Sequence, residues 1–393
     1  MTAPRVSYAH LLVQPNPRHV RSLVRFFEEG CSAPGTGGFG VEIEHLPVHN
    51  ADDTAVTYGE PNGVEELLRR LRPYYDPAQE YWQDDHLVGL AREGIAISLE
   101  PGGQIETSIG ILYGYQPKSS YSDIPLNPKL RYAAMNEYLG RIGQFGPCMM
   151  RASASTQVSI DYTSERDAID KMRLGTAIGP ILAWFFRNTP YFEGAPNPWP
   201  LCRQHMWDYL DVQRTNVTPG LYDERFSWED YAADVLSTPL MFADLTHTPE
   251  AEGRSSHGVE FAAFYTTATD LYPDRELNAY EINHVLSTHF NDVRLKNFIE
   301  MRHWDSLPIE RAELLTQIVS NLFYDVERRT SLESYFSGLT GEDVHAAKAV
   351  LQARGGDAKP YDQPMDYWAE VLGVGDALAD VPGDAKWPEV RQG

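Results

Sequence analysis

The chain has little cysteine and no long run of apolar residues. Only three of its 393 residues are cysteine (Cys31, Cys148 and Cys202), too few and too scattered for a disulfide framework. No stretch of about 18 apolar residues occurs, so a membrane-spanning helix is not expected. The first residues include proline and histidine where a signal peptide needs an unbroken apolar stretch. These absences predict a cytoplasmic protein.

Basic residues are also scarce. The chain has 33 Lys and Arg against 56 Asp and Glu, which gives a formal net charge of -23. Contacts to nucleic-acid phosphates need clustered Lys and Arg, and no such tract is present, so a nucleic-acid partner is not expected. Cysteine and histidine do not occur at zinc-site spacing either. ATP remains compatible with this acidity if carboxylates hold metal ions that neutralise the triphosphate.

What the sequence does contain is a set of short alternating segments with charged residues on one side. A glycine-rich loop over 31–40 leads into VEIEH and lacks the GK[ST] ending of a phosphate-binding loop. Within VEIEH, Glu42 and Glu44 alternate with apolar residues. Successive side chains of a strand point to opposite faces, so the two carboxylates are predicted to share one face.

A second pair of carboxylates is predicted on a meander. The segment HLVGLAREGIAISLEPGGQIETSIG has turn residues at 92–94 and 101–103, which predict three strands. Pairing across the second turn places Glu100 opposite Gln104. Glu100 and Glu106 then lie one diagonal step apart on the same polar face.

Two further segments are predicted to be strands with a polar face. MMRASASTQVSIDY alternates throughout and places Arg151, Gln157 and Asp161 on one side. VRLKNFIEMRHW, over 293–304, is predicted to be a single strand. Its polar side carries Arg294, Lys296, Glu300 and Arg302. Of these, Arg294 is interpreted as a solvent-exposed strand residue.

Helices are indicated by capping residues and by apolar residues spaced three and four apart. A polar, turn-rich loop over 246–258 separates two of them and is a candidate mobile loop or lid. The predicted helices are one ending at Gly30, one near 62–72, one near 128–142, a long one after Ser164, two after Ser227 and Asn278, and one over 308–325.

Together the charged strand faces predict a groove. Any single pair of charges would equally suit the solvent-facing side of an antiparallel sheet. Carboxylates held close together repel one another, and a divalent cation is the usual remedy. Glutamates without histidine or cysteine ligands favour Mg²⁺ or Mn²⁺ over zinc. A metal-dependent hydrolase would also suit the carboxylates, but it leaves the arginines and the lysine unexplained.

The residues that carry this pattern resemble a known family. GVEIEH, ISLEPGGQIETS, MMRASASTQVSIDY, FFRNTPYFEGAPN, FSWEDYAADVLSTPLMF and FNDVRLKNFIEMR occur in this order. In these motifs the chain resembles the plant-type glutamate–cysteine ligases, also found in bacteria, within the glutamine synthetase-like carboxylate–amine ligases. The resemblance extends over about three quarters of the chain, from Gly40 to Asp325.

The resemblance implies an α+β fold in which helices pack outside a cup-shaped, mainly antiparallel sheet like that of glutamine synthetase. It also implies a reaction in which the γ-carboxylate of L-glutamate attacks the γ-phosphate of ATP. An amine, expected to be that of L-cysteine, then displaces phosphate. Mg²⁺ or Mn²⁺ is expected as the cofactor, and the family's metal-binding glutamates correspond to Glu42, Glu44, Glu100, Glu106 and Glu300.

The resemblance implies roles for the remaining polar residues as well. Arg302 and Glu300, two residues apart on the same face, are expected to be catalytic, with Arg302 stabilising charge on the transferring phosphoryl group. Arg151 and Gln157 are expected to orient glutamate or a metal-bound phosphate. Lys296 is expected to contact the nucleotide.

One catalytic domain is expected over 1–393, with a core at about 40–325 and a helical C-terminal extension at about 326–393. The expected state is a monomer or a homodimer. After IEMR the chain has HWDSLP where the family has a Gly/Ala/Asp-rich stretch. These residues either reshape the nucleotide or acceptor end or repack the exit of the strand. The alternatives are a γ-glutamyl ligase for a different amine and a non-catalytic homologue that binds the ligands.

Overall fold

The computed structural model describes residues 14–35, 37–92, 95–106, 113–246, 248–251, 260–272 and 275–375. The described helices are α1 (Pro17–Glu29), α2 (Val64–Leu71), α3 (Leu130–Ile142), α4 (Gly146–Ala152), α5 (Glu165–Phe185), α6 (Cys202–Asp208), α7 (Trp228–Ser237), α8 (Ala268–Leu271), α9 (Ala279–Ser287), α10 (Ile309–Tyr324), α11 (Val326–Tyr335), α12 (Gly341–Arg354) and α13 (Met365–Leu372). None of these helices combines the length and the apolarity needed to cross a membrane.

The described strands alternate with these helices along the chain. They are β1 (Phe39–His45), β2 (Glu80–Gln83), β3 (His86–Arg92), β4 (Ile95–Ile97), β5 (Ile105–Glu106), β6 (Ser155–Ile160), β7 (Tyr191–Phe192), β8 (Ala195–Pro196), β9 (Thr215–Asn216), β10 (Phe242–Asp244), β11 (Glu260–Ala262), β12 (Phe290–Asn291), β13 (Val293–Leu295) and β14 (Ile299–Asp305).

The largest described sheet has five strands in the order β13-β14-β6-β1-β5, and all its neighbours are antiparallel. One face of this sheet packs against α5, where Gly175 lies next to Met301 and Val293. These apolar residues belong to the main hydrophobic core. The opposite face carries the charged residues. The predicted α+β class with antiparallel sheets is confirmed.

Smaller sheets surround the central one. β2, β3 and β4 form an antiparallel sheet over α2, and β7–β8 and β10–β11 are antiparallel pairs. β9 and β12 pair in parallel. The predicted pairing across the PGG turn is confirmed, since Leu99 bridges Ile105 and the Glu100 amide donates to the Gln104 carbonyl at 3.0 Å. The third strand of the predicted meander continues into the central sheet, where β5 pairs with β1.

The predicted helix starts are confirmed. Ser227 and Asn278 form capping boxes at the starts of α7 and α9, and Ser164 caps α5. The first helix ends at Glu29, next to Gly30, and the long helix near 308–325 is α10. The predicted lid lies only partly within the described residues.

Two predicted strands are wrong in part. The first four residues of MMRASASTQVSIDY are helical, because Pro147 suits a first helical turn and Cys148, Met149 and Met150 all become buried there. The second error is the single strand over 293–304, which is the hairpin β13–β14. Its turn has three residues, so the odd-numbered residues of β13 and those of β14 lie on the same face of the sheet. An alternating pattern therefore does not distinguish the hairpin from one strand.

Candidate active site

The polar face of the central sheet is organised around Gln157 on β6. Its side-chain nitrogen donates to Glu42 and, at 3.4 Å, to Glu44 Oε1 on the neighbouring β1. Its side-chain oxygen accepts a hydrogen bond from Arg302 on β14. A neutral amide can donate and accept at once, so Gln157 joins an acidic side of the groove to a basic side.

On the basic side, three cations surround the Glu300 carboxylate. Arg294 Nη2 lies 2.6 Å and Arg302 Nη1 2.7 Å from Glu300 Oε2, while Lys296 Nζ lies 3.3 Å from Oε1. Burial alone would raise the pKa of Glu300, but Arg294, Arg302 and Lys296 hold it well below its usual range. Glu300 is therefore ionised, and a metal ion at this carboxylate would compete with these cations.

Arg294 corrects the interpretation made from the sequence. It is buried, and the hairpin register places it directly opposite Glu300. Its Nη1 also donates to the His289 carbonyl at 2.8 Å. Lys296 lies at the turn of the same hairpin, where burial and the neighbouring Arg294 charge lower its pKa to about 8. The pKa of Lys296 thus lies close to neutral pH, whereas Arg294 stays charged in the interior.

On the acidic side, carboxylates crowd together. Glu44 is buried and accepts hydrogen bonds from the Ser155 amide at 2.7 Å and its hydroxyl at 2.9 Å. Burial and the nearby Glu100 carboxylate raise the pKa of Glu44, and burial and Glu300 raise the pKa of Glu42. Proximity of negative charge at low exposure is the condition that a bound cation relieves.

The fit of a divalent metal ion rests on this donor set. Carboxylate oxygens are the ligands that Mg²⁺ prefers, and burial together with neighbouring carboxylates raises the pKa of Glu42 and of Glu44 in spite of the nearby arginines. Glu106 pairs with Glu44 in the β1–β5 register, but its side chain lies outside what the structure describes. Among the described residues, no three acidic, histidine or cysteine side chains are already arranged as a metal site.

Arg151 is not brought into this groove. It lies on α4, where Nε and Nη2 donate to Asn136 Oδ1 at 3.2 and 2.9 Å, and Nη1 to the Ile124 carbonyl at 3.3 Å. Asp161 lies just after β6 and accepts from Tyr324 Oη at 2.6 Å. Arg151 was expected on the same face as Gln157 because the alternation was extended into a segment that is helical.

Arg203 on α6 is a site residue that the sequence did not reveal. It is buried, and its Nε donates to the backbone carbonyl of Arg302 at 3.0 Å. It lines one cleft with Glu44 and Glu100, and Trp207 lies 5.3 Å from its guanidinium carbon. Burial lowers the pKa of Arg203 to about 10, although Glu44 counteracts this. The cleft therefore presents a cation facing two carboxylates.

The walls of this cleft are apolar. They are formed by Met135, Met149, Met150, Trp207 and Phe290. Apolar walls around a few charged groups are typical of small-molecule sites, because exclusion of water strengthens the electrostatic interactions inside. The arrangement can bind a small, multiply charged ligand and stabilise charge that develops on it.

The three residues after IEMR are packing residues. His303, Trp304 and Asp305 are all buried. Asp305 accepts from the Asn188 amide at 2.7 Å and the Thr189 hydroxyl at 2.8 Å, which ties the end of β14 to the segment after α5. This favours repacking of the strand exit over a direct contact with substrate.

Comparisons with known proteins identify the family. The model of glutamate-cysteine ligase family 2 (GCS2) matches residues 109–335. The chain belongs to this family. It is 30% identical over 371 residues to glutamate–cysteine ligase A, chloroplastic, of Oryza sativa subsp. japonica, covering 86% of this chain and 73% of the relative. It is 31% identical over 373 residues to glutamate–cysteine ligase, chloroplastic, of Arabidopsis thaliana, covering 87% of this chain and 69% of the relative.

The family match covers part of the candidate site. Gln157, Arg203, Glu300 and Arg302 lie within the matched glutamate-cysteine ligase segment, whereas β1 with its two glutamates precedes it. Helices α12 and α13 follow it. The charged groove is therefore assembled from the matched segment together with an N-terminal strand.

Proposed function

We propose that this chain is an ATP-dependent ligase that joins the γ-carboxylate of L-glutamate to the amine of L-cysteine and so produces γ-glutamylcysteine. The observation that carries the proposal is the groove in which carboxylates and cations meet across Gln157. Membership in the glutamate-cysteine ligase family and relatives named glutamate–cysteine ligase support the substrates.

The reaction has two steps. A γ-carboxylate oxygen of glutamate attacks the γ-phosphorus of ATP, and the bond to the β-phosphate oxygen breaks to give γ-glutamyl phosphate and ADP. The amine nitrogen of cysteine then attacks the acyl carbon, phosphate leaves with the C–O electron pair, and the amine releases a proton. Both steps bring anions together, so positive charge in the groove is the main requirement.

The basic side of the groove supplies this charge. Arg302 is fixed by Gln157 and Glu300, so its guanidinium is already oriented before substrate arrives. Lys296 reaches Glu300 from the hairpin turn and is the proposed nucleotide contact. Preorganised cations cost little reorganisation when charge develops on the transferring phosphoryl group.

Mg²⁺ or Mn²⁺ is proposed as the cofactor on the acidic side. Glu42, Glu44 and Glu100 would hold it, and Glu106 and Glu300 are proposed as further ligands. When bound, the ion would neutralise part of the triphosphate charge. Without it, the crowded carboxylates favour protonation, as the raised pKa values of Glu42 and Glu44 indicate.

The cup shape, the cytoplasmic location and the monomeric or dimeric state are also part of the proposal. The five-stranded sheet with α5 on its apolar face would form the floor of the cup, with substrates on the polar face. Sedimentation velocity measures the oligomeric state, and fractionation of the source cells tests the location.

The decisive experiment is ADP release from Mg-ATP and L-glutamate across a panel of amines, with the products identified by mass. The expected result is fast turnover with L-cysteine, a product of the mass of γ-glutamylcysteine, and loss of turnover in EDTA that excess Mg²⁺ restores. Omission of glutamate is the control for simple ATP hydrolysis. Preference for another amine changes the acceptor, and absence of ADP with every amine contradicts the proposal.

A further inference from the structure

A lysine from the C-terminal helices is buried behind the groove. Lys348 lies on α12, beyond the segment that the family model matches. The residue is 2% exposed, and lysine is rarely buried so fully unless it is paired. Its Nζ lies 2.9 Å from Asp208 Oδ1, 2.6 Å from Asp292 Oδ2 and 3.0 Å from Asn216 Oδ1. One ammonium group thus joins α6, β9 and the residue before β13.

The Lys348 partners also support the backbone of Arg302. The Arg302 amide donates to the Asp292 carbonyl at 3.0 Å, and the Arg302 carbonyl accepts from Arg203 Nε at 3.0 Å. The Asp292 amide in turn donates to the Asn216 carbonyl at 3.0 Å. Asp292 therefore contacts both residues: its carboxylate is neutralised by Lys348, and its backbone carbonyl accepts the hydrogen bond from the Arg302 amide.

A small cavity lies beside Asp292 and Arg302. Its other lining residues are Gln204 and His303, which are polar, and the aromatic Trp207 and Phe290. Both side-chain polar atoms of Gln204, both ring nitrogens of His303 and Nε of Arg302 have no hydrogen-bond partner among the residues that the structure describes. An uncompensated carboxylate in such surroundings is costly, so it would attract a cation within reach. Arg302 is the arginine that lines this cavity.

The charge state of Lys348 suits this position. Burial alone would lower the pKa of the ammonium group, but the Asp208 and Asp292 carboxylates raise it above its ordinary value. Lys348 therefore stays protonated near neutral pH. His303 and His345 also face this cluster, and burial lowers the pKa of both, so they are neutral near pH 7.

We propose that Lys348 is a positioning residue for the ligase reaction: it neutralises Asp292 beneath the β13–β14 hairpin and so keeps the Arg302 guanidinium directed towards Gln157 and Glu300. The inference rests on the function proposed above. It gives the C-terminal helices a part in catalysis, because the site is complete only when α12 is docked.

The test compares Lys348→Met with the double variant Lys348→Met/Asp292→Asn. The single variant leaves Asp292 and Asp208 without the lysine that they share, and we expect kcat to fall about 10-fold to 100-fold while the KM for glutamate changes much less. The double variant removes the carboxylate that competes for Arg302, and we expect it to recover most of the lost kcat. Lys359→Met, the same substitution at an exposed lysine, is the matched control.

Melting temperature and circular dichroism are measured for every variant, and kcat is compared at a temperature at which all are folded. If Lys348→Met does not fold, the inference is tested with the double variant alone, and a wild-type kcat in that variant supports it. Wild-type kcat in a folded Lys348→Met, or a folded double variant as slow as the single one, overturns the inference alone. A wild-type protein without ligase activity overturns the proposed function and this inference with it.

Discussion

At the scale of single residues, the groove depends on a neutral amide between opposite charges. Gln157 satisfies Glu42 with its nitrogen and Arg302 with its oxygen, which a charged side chain cannot do on both sides. Arg302 also contacts Glu300, so its planar fork has two fixed partners. A lysine would offer a single point charge in place of that fork.

Arg302→Lys is therefore expected to lower kcat by about 10²-fold to 10³-fold, the usual cost of removing one donor that stabilises transition-state charge. The fold should persist, because a cation remains beside Glu300. Steady-state kinetics with Mg-ATP, glutamate and cysteine measure the change. Arg141→Lys, at an exposed arginine paired within one helix, is the control and should retain wild-type kcat. Equal kcat in both variants would contradict the assigned role.

Another residue-scale prediction concerns a carboxylate away from the groove. Burial raises the pKa of Asp234 to about 6, and its Oδ2 has no hydrogen-bond partner within the described parts of the chain. The folded state therefore binds a proton more tightly than the unfolded state. This contribution to stability is complete below the unfolded pKa, near 3.8, and is lost as pH rises through about 6.

Asp234→Asn removes the ionisation and should stabilise the protein at pH 7.5 by about 1 to 2 kcal/mol, since Asp234 retains partial exposure. The gain should shrink steadily between pH 6 and pH 4. Urea unfolding at several pH values measures it, with Asp357→Asn at an exposed position as the control. A gain that is the same at pH 4 and pH 7.5 would show that the ionisation of Asp234 is not its cause.

The site residues that the sequence predicted and those it missed differ in one physical respect. Glu42 and Glu44 follow each other on one strand, so the period of a strand alone places them together. Arg294 and Arg203 are buried because of partners elsewhere in the fold: Glu300 across a hairpin and the Arg302 carbonyl 99 residues away. Local alternation contains no information about such partners.

At the scale of elements, the same dependence on distant partners explains which strands were predicted wrongly. The starts of α5, α7 and α9 were predictable because a capping side chain and the amide that it accepts from are three residues apart. α4 was not, because its apolar residues are buried on several sides and leave no helical period to detect. The packing of α5 on the central sheet likewise depends on a residue whose role is visible only in three dimensions.

That residue is Gly179, which lies against the His303 ring. A Cβ atom at Gly179 would meet His303 Nε2 at 2.2 Å, so this buried ring would have to move out of its packed position. Gly179→Ala should therefore destabilise the protein by about 1 to 3 kcal/mol through overpacking. Urea denaturation followed by circular dichroism measures the change.

Gly140→Ala is the matched substitution. Gly140 lies within α3, is exposed, and its Cβ would approach only Pro147 Cγ, at 3.6 Å. Alanine there should stabilise the protein by about 0.5 to 1 kcal/mol, because glycine in a helix loses more conformational freedom. The two glycines should thus shift stability in opposite directions. Stabilisation by both substitutions would show that α5 and β14 can separate without cost.

At the scale of the whole molecule, the C-terminal helices are part of the main core. Leu351 of α12 and Trp368 of α13 belong to the same buried cluster as Leu182 of α5 and Leu295 of β13. The sequence predicted an extension after about 325, and composition gave no sign that it would share the core with the sheet. One catalytic domain over the whole chain stays a prediction, and unfolding cooperativity tests it.

Trp368 is the side chain through which this prediction is best tested. It is fully buried, lies parallel to Phe336 with ring centroids 5.7 Å apart, and donates from Nε1 to the Pro360 carbonyl at 3.0 Å. Trp368→Ala should cost about 3 to 5 kcal/mol, the usual effect of removing a large buried aromatic side chain. If the C-terminal helices and the sheet share one core, this loss of stability must also destabilise the sheet.

We therefore expect one unfolding transition, shifted to lower urea concentration, and faster hydrogen exchange of the β6 amides by a factor that matches the loss in global stability. Trp82→Ala, at a partly exposed tryptophan of β2 that packs on Arg69 and Arg72, should cost under about 1 kcal/mol and leave β6 exchange nearly unchanged. Two separate transitions in Trp368→Ala, with β6 exchange at the wild-type rate, would instead show that the C-terminal helices unfold alone. In that case Lys348 could be withdrawn from behind Arg302 without unfolding the sheet, and docking of these helices would control the charge in the groove.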